Sequence, residues 1–282
     1  MAVTRDIVMT CCRDEEDVIE TFIRFYLEAG FDAVHIIDNG SRDRTRDIVE
    51  SLIAEGLDVT FEVDDRVGYE RYLTTWFRTI GERLLARWLF FLDCDEFILF
   101  PCPAKQYLDR LPEGTNRLRV QQKEVYPSPS SAVASGKGDF LLSRRIERHF
   151  NDTTKDYVRF HPEARVYGGK HRIDIPGPRT VRATDIFIRH YKYRTPEQAA
   201  QKERNRCTVQ RIYSDPDLTS ISAFGLERAR DWIEYCRAAA ARNEWRSSFD
   251  ADAAEDHEMA DWAVAFLNRT RNGSRLSKEK ER

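Results

Sequence analysis

Trp88-Leu89-Phe90-Phe91-Leu92-Asp93-Cys94-Asp95-Glu96-Phe97 limits what this chain can fold into more than any other stretch. Five mostly large apolar residues in a row need burial on both faces, the condition of a central strand in a parallel sheet. Three carboxylates then follow within four residues. A buried strand tolerates no unpaired charge, so the chain must surface there, at the strand's C-terminal edge. In open α/β sheets that edge is where ligands bind. Asp93 and Asp95, at i and i+2, share one side of an extended backbone and can face one ligand. Hard oxygen donors without a Cys/His cluster beside them suit Mg2+ or Mn2+ held together with substrate phosphates. An acidic strand exit that holds nothing is the plainer alternative for so short a motif.

The preceding stretches repeat one arrangement. Residues 7–12 read as a short buried strand, after which Asp14 is placed to cap a helix with acids in its first turn. Val18, Ile19, Phe22, Ile23 and Tyr26 keep a helical stripe that Gly30 stops. Residues 33–37 form a second strand ending at Asp38-Asn39-Gly40-Ser41, and a helix over about 44–55 leads to a third strand at 59–63. Tyr69, Tyr72, Leu73, Trp76, Phe77, Ile80 and Leu84 step at three and four as an amphipathic helix. The alternation predicts an α/β fold, a Rossmann-like, doubly wound and mostly parallel sheet. Right-handed crossovers put the C-terminal strand edges on one side, so Cys12-Arg13, Asp38-Asn39 and Asp93–Asp95 are expected to converge.

Beyond Pro101 the order loosens. Residues 117–123 alternate as a strand. Residues 126–138, rich in Pro, Ser and Gly, read as a mobile loop, a lid or a plain surface loop. Short strands are expected over 158–175 and 181–191, then helices over 197–213, 222–241 and 252–266, and a charged, frayed tail. This gives a catalytic domain over 1–195, a helical extension over 196–270 and a disordered tail over 271–282. The formal charge of -3 argues against nucleic acid as a partner. No run is long and apolar enough for a membrane span, and the N-terminus leads straight into a strand without a leader. Six cysteines without a C-x-x-C pair suit reduced thiols in a cytoplasmic protein.

Ile36-Ile37-Asp38-Asn39-Gly40-Ser41-Arg42-Asp43-Arg44-Thr45, with Cys12-Arg13-Asp14-Glu15-Glu16 before it and Asp93-Cys94-Asp95-Glu96-Phe97 after it, resembles the nucleotide-sugar half of family 2 glycosyltransferases. It is most similar to the branch whose acidic motif continues as D-x-D-E-F. The resemblance covers about residues 6 to 100 and implies a GT-A fold, a nucleoside-diphosphate sugar donor (a UDP-sugar first among them) and a divalent cation. Asp38 would bind the base, Asp93 the ribose or the metal, and Asp95 the metal, with Cys12, Arg13, Glu15 and Asn39 lining the donor site. A second segment, Ile188-Arg189-His190-Tyr191-Lys192-Tyr193-Arg194-Thr195, is similar to the H-Y-x-x-R/K-S segment of the same branch. It would supply His190 as a further metal ligand and Lys192 or Arg194 as diphosphate contacts. Read on its own, a histidine in a strand is as well a hydrogen-bonded core residue.

The implied reaction is transfer of the sugar to a hydroxyl of a glycan or glycoconjugate by inverting single displacement. Cationic groups stabilise the leaving diphosphate and a base takes the acceptor proton. Glu124, Glu163, Asp174 and His171 lie in the acceptor half and Glu96 beside the acidic motif; Glu124, then His171, is the expected base. Gly168-Gly169-Lys170-His171-Arg172 can carry acceptor or phosphate contacts, or be a solvated basic turn. The family's aromatic and glycine motif after the middle strand is replaced by Gln121-Gln122-Lys123-Glu124-Val125-Tyr126. Two other classes fit parts of the pattern: a sugar nucleotidyltransferase, whose Gly-rich basic loop is here the acidic Arg13–Glu16, and a non-catalytic nucleotide-sugar-binding protein. Apolar stripes in the C-terminal helices suit packing on the catalytic domain, a homodimer or an acceptor surface, and peripheral membrane association stays open.

Overall fold

The computed structural model describes residues 4–66, 68–126, 139–142, 145–147, 153–192, 194, 198, 201–202, 205 and 253–280. The chain divides into two compact units, Met1–Lys123 with Phe150–His190, and Glu124–His149 with Tyr191–Arg282. Of the expected loop over 126–138 only Tyr126 is described, as the end of a strand, and the expected helices over 197–213 and 222–241 lie outside the described residues apart from 198, 201–202 and 205.

The first unit opens with the expected alternation: β1 (Arg5–Cys12), α1 (Ile19–Glu28), β2 (Ala33–Asp38), α2 (Thr45–Ala54), β3 (Val59–Val63), α3 (Leu73–Arg83) and β4 (Ala86–Leu92). The four strands are parallel in the order β4-β1-β2-β3, and Cys12 stands opposite Asp38. After β4 come β5 (Glu96–Ile98), α4 (Ala104–Asp109), β6 (Arg117–Tyr126), β7 (Arg145–Glu147), β8 (Thr154–Arg159), β9 (Arg165–Tyr167), β10 (Arg172–Asp174), β11 (Thr180–Arg182) and β12 (Ile188–His190). β8 joins the sheet antiparallel beside β4, with β6 antiparallel beyond it. β9 and β10 form a separate antiparallel hairpin, and β12 pairs antiparallel with β5.

Alternation along β4 explains the two buried faces. Leu89 and Phe91 join Met9, Ile37, Val158, the apolar stripe of α3 (Leu73, Trp76, Phe77, Ile80) and Val166 and Ile173 of the hairpin. Phe90 points the other way, stacked on Tyr157 at 4.3 Å between ring centroids and edge-on to Phe31 at 5.0 Å. On that side Phe22, Phe25 and Tyr26 of α1 surround Phe97. A strand buried on both sides is what the unbroken apolar run requires.

Asp14 does not cap α1. It takes φ +56°, and its carboxylate accepts the Arg42 N–H at 2.7 Å. The next two N–H groups are also committed: Glu15 donates to the Thr45 hydroxyl and Glu16 to Asp43 Oδ2, so the helix starts only at Ile19. Cross-loop bonds win because they join the ends of two strands where a local cap would serve one.

In the second unit, Val125 and Tyr126 of β6 pair with β7, and β13 (Ala253–Glu255) pairs with β7 on its other edge. Helix α5 (His257–Lys280) packs against a single 3-10 turn at Asp139–Leu142. α5 continues through the tail expected to fray; Leu276, Lys278, Glu279 and Lys280 all favour helix, and Gly273 weakens it without ending it.

Candidate active site

The exits of β1 and β2 are stitched together by short side chains. Asn39 donates its backbone N–H to the Cys12 carbonyl at 2.8 Å, and Asp14 its own to the Ser41 hydroxyl at 2.9 Å. The Asn39 side-chain amide reaches on to the Asp64 and Arg66 carbonyls, tying in the exit of β3. Asp38 is fully buried at the end of β2; Ser41 N–H lies 3.2 Å from Oδ1 and Arg46 Nε 2.6 Å from Oδ2. Its carboxylate therefore holds its own turn. Arg13 is partly exposed, with Nε 4.0 Å from Asp14 Oδ2, and the Glu15 carbonyl accepts the Val18 and Ile19 N–H groups. Cys12 and Cys94 are buried; burial pushes the Cys11 thiol up to about 12, and the hydrogen bond with Cys94 together with burial raises Cys12, so Cys11 and Cys12 are protonated at neutral pH.

The acidic turn after β4 is arranged around two lysines. Asp93 Oδ2 accepts from Lys155 Nζ at 2.7 Å and its Oδ1 from Lys170 Nζ. Lys155 is fully buried and also bonds Glu96 Oε2 at 2.7 Å, while Glu96 accepts the Asp93 N–H at 3.0 Å. Burial alone would raise the Asp93 pKa, but Lys155 and Lys170 outweigh it and hold the carboxyl far below its ordinary range. For Glu96 burial dominates and moves the pKa up despite Lys155. Two faces of the sheet contribute. Lys155 shares a side of β8 with Tyr157, which stacks on Phe90, whereas Lys170 of the hairpin lies over the opposite ring, Phe91, at 5.2 Å.

His190 reaches this turn through strand pairing: β12 runs antiparallel to β5 and sets His190 opposite Glu96. Its Nε2 lies 3.5 Å from Asp95 Oδ1, with Asp95 almost fully buried. Gln122 of β6 holds the other ring nitrogen, Nε2 to Nδ1 at 2.8 Å, and so governs the histidine tautomer. Among the described residues no three His, Cys, Asp or Glu side chains form a ready-made metal cluster.

The other expected residues lie elsewhere. His171 borders an open cleft of about 640 Å³ with Arg119, Thr153, Thr154, Asp156 and Arg172. Burial, then Lys155, pulls its pKa below the ordinary histidine value. Asp174 pairs with Arg172 at 3.0 Å, and Glu163 is exposed. Glu124, Lys192 and Arg194 belong to the second unit. There Arg194 is buried, donating to the Tyr191 carbonyl at 3.3 Å and lying over the Phe140 ring at 5.8 Å.

Residues 6–108 match the model described as Glycosyl transferase family 2. Over this segment, less than half of the chain, the sequence is similar to family 2 glycosyltransferases. No curated protein matches the chain. Among solved structures, the chain is similar to S. aureus TarS 1-349 in complex with UDP (19% identity over 46% of this chain and 39% of that one, TM-score 0.35). It is also similar to the mannosyltransferase PcManGT from Pyrobaculum calidifontis in complex with GDP-Man and Mn2+ (13%, 95% and 87%, TM-score 0.41). A third is glucosyl-3-phosphoglycerate synthase from Mycobacterium tuberculosis with Mn2+, UDP and glucosyl-3-phosphoglycerate (22%, 45% and 46%, TM-score 0.28). With every one of these TM-scores below 0.5, the similarity to family 2 rests on the sequence match over residues 6–108.

The family 2 segment contains the acidic turn but neither of its lysines, nor Gln122 or His190. Those four residues come from β6, β8, the hairpin and β12. Lys155 carried no motif. Its one trace in the sequence is a lysine beside Tyr157 and Val158, in a stretch otherwise fit for a buried strand.

Proposed function

We propose that the chain transfers a sugar from a nucleoside-diphosphate sugar, UDP-sugars first, to a hydroxyl of a glycan or glycoconjugate by inverting single displacement. The observation that carries this reading is His190 beside Asp95 at the C-terminal edge of a parallel sheet with a family 2 sequence. Two ligands at about 2.0–2.2 Å from one cation stand about 3.0–3.5 Å apart, and the 3.5 Å between His190 Nε2 and Asp95 Oδ1 fits that span. A mixed imidazole and carboxylate pair suits Mn2+, with Mg2+ the harder alternative. Asp93 fits such a role less well, because each of its oxygens already meets an ammonium group.

A cation held there with the diphosphate supplies Lewis-acid stabilisation of the leaving group. For His190 Nε2 to act as a ligand, Nδ1 must carry the proton, and a 180° turn of the isosteric Gln122 amide presents the oxygen that accepts it. His171, kept neutral by burial and by Lys155, is suited to accept the acceptor's proton at neutral pH, with Glu124 the other candidate base. Asp38 and Asn39 set the donor floor by fixing the turn that a nucleotide base would face.

The test is incubation with labelled UDP- and GDP-sugars, with and without Mn2+. Transfer or hydrolysis is expected, lost in EDTA and reduced about 10²-fold or more in Asp95→Asn with the fold intact. Full activity in EDTA removes the cation from the reading. Pyrophosphorolysis would make the chain a nucleotidyltransferase, and binding without turnover a sugar-nucleotide-binding protein.

A further inference from the structure

Lys155 and Lys170 meet the same carboxylate, yet they are not equivalent. Lys155 is shared between Asp93 and Glu96 and has no exposed surface, so its removal would leave two buried acids facing each other. Lys170 can leave Asp93 without orphaning it, because Lys155 stays on the other oxygen. Its backbone points to a role for the side chain. Gly168, Gly169 and Lys170 take φ +54°, +60° and +76°, and the His171 N–H closes the turn on the Gly168 carbonyl at 3.2 Å. Glycine is the residue that tolerates this region, so a third glycine would relieve the strain; lysine there delivers an ammonium group. The Lys170 side chain is 2% exposed, whereas Asp93 keeps 36% of its side chain open, so the pair reaches solvent through the carboxylate.

We propose that Lys170 is a nucleotide-binding residue that exchanges Asp93 for a diphosphate oxygen of the donor. The exchange keeps every charge paired. Lys155 continues to neutralise Asp93 and Glu96, Lys170 meets the diphosphate, and the released Asp93 oxygen is free to accept a ribose hydroxyl. A strained, short turn also places the ammonium without the long search of a surface lysine, which suits recognition of an anion by a point charge. This rests on the nucleotide-sugar reading above and adds the residue that tells a diphosphate from a bare nucleoside.

The experiment is calorimetric titration of the full chain with UDP, GDP and the two nucleosides, for the natural protein, Lys170→Gln and Lys170→Arg. If the natural protein binds neither diphosphate, the nucleotide-sugar reading itself fails. Given binding, Lys170→Gln should weaken the diphosphate about tenfold or more, leave the nucleoside within about twofold, and keep its melting temperature, with Lys170→Arg recovering most of the loss. Equal diphosphate affinity in Lys170→Gln and the natural protein overturns the proposal. Should Lys170→Gln not fold, reductive methylation of the natural protein decides: protection of Lys170 by the diphosphate and not by the nucleoside supports it, and equal labelling overturns it.

Discussion

A lysine with no exposed surface survives at the acidic turn because Asp93 and Glu96 both receive its protons. Burial by itself would lower the Lys155 pKa, and the two carboxylates more than reverse that, so the residue is charged at neutral pH. Such a triad adds little over a well-packed apolar core, but breaking it is costly. Lys155→Met should therefore lose about 3–5 kcal/mol of unfolding free energy in urea, while Lys170→Gln stays within about 1 kcal/mol of the natural protein. A Lys155→Met protein as stable as its parent would mean that the turn repacks around a neutral Asp93. Asp38 shows the same economy at smaller scale: fully buried and bonded to Ser41 and Arg46, it has a structural task whatever else it meets. Replacing it should lower stability as well as any nucleotide affinity.

The elements are held by their apolar stripes, and α3 is closely packed at one point. At Gly81 an added Cβ would stand 2.3 Å from the Phe160 ring, which packs against the core beneath α3. On an exposed helix surface Gly→Ala is worth about 1 kcal/mol in stability. Here the overlap should reverse the sign, and Gly81→Ala is expected to destabilise by about 1–3 kcal/mol, with part of the loss recovered when Phe160 is shortened to Leu. Thermal unfolding of the two proteins checks this, and a raised melting temperature for Gly81→Ala would show the ring to be loosely held. Pairing between β5 and β12 matters in the same way. A three-residue strand fixes His190 opposite Glu96, and a slip of one position would turn the imidazole to the other face.

For the whole molecule, acid is the revealing condition. The Asp64 carboxyl is pulled from 3.8 to about 2, first by Arg66 and also by the Trp76 indole N–H at 2.7 Å, against the effect of burial. Glu62 is lowered as well, chiefly by the nearby His35 imidazole, whose Nε2 lies 3.7 Å from its carboxylate, with Arg83 adding to it. Each folded-state pKa lies below its unfolded value, so this stabilisation is complete above about pH 4–5 and disappears as pH falls toward 2. Asp64→Asn should flatten the decline in melting temperature between pH 4 and pH 2; an unchanged slope would place the acid sensitivity at another carboxylate. Periodicity was enough to read the four parallel strands, the helices between them and the convergence of Cys12, Asp38 and Asp93, because each depends on contacts between neighbours in the chain or on the handedness of a crossover. The start of α1 was not legible, since Asp14 is claimed by a loop 28 residues away. Nor were the partners of the acidic turn, apart from His190. Lys155, Lys170 and Gln122 stand 62, 77 and 68 residues from Asp93, Asp93 and His190 respectively, so no local pattern relates them. Their charges and hydrogen bonds acquire meaning only when an antiparallel strand, a hairpin and an edge pairing bring them to one end of the sheet; burial there then demands a partner for every ion.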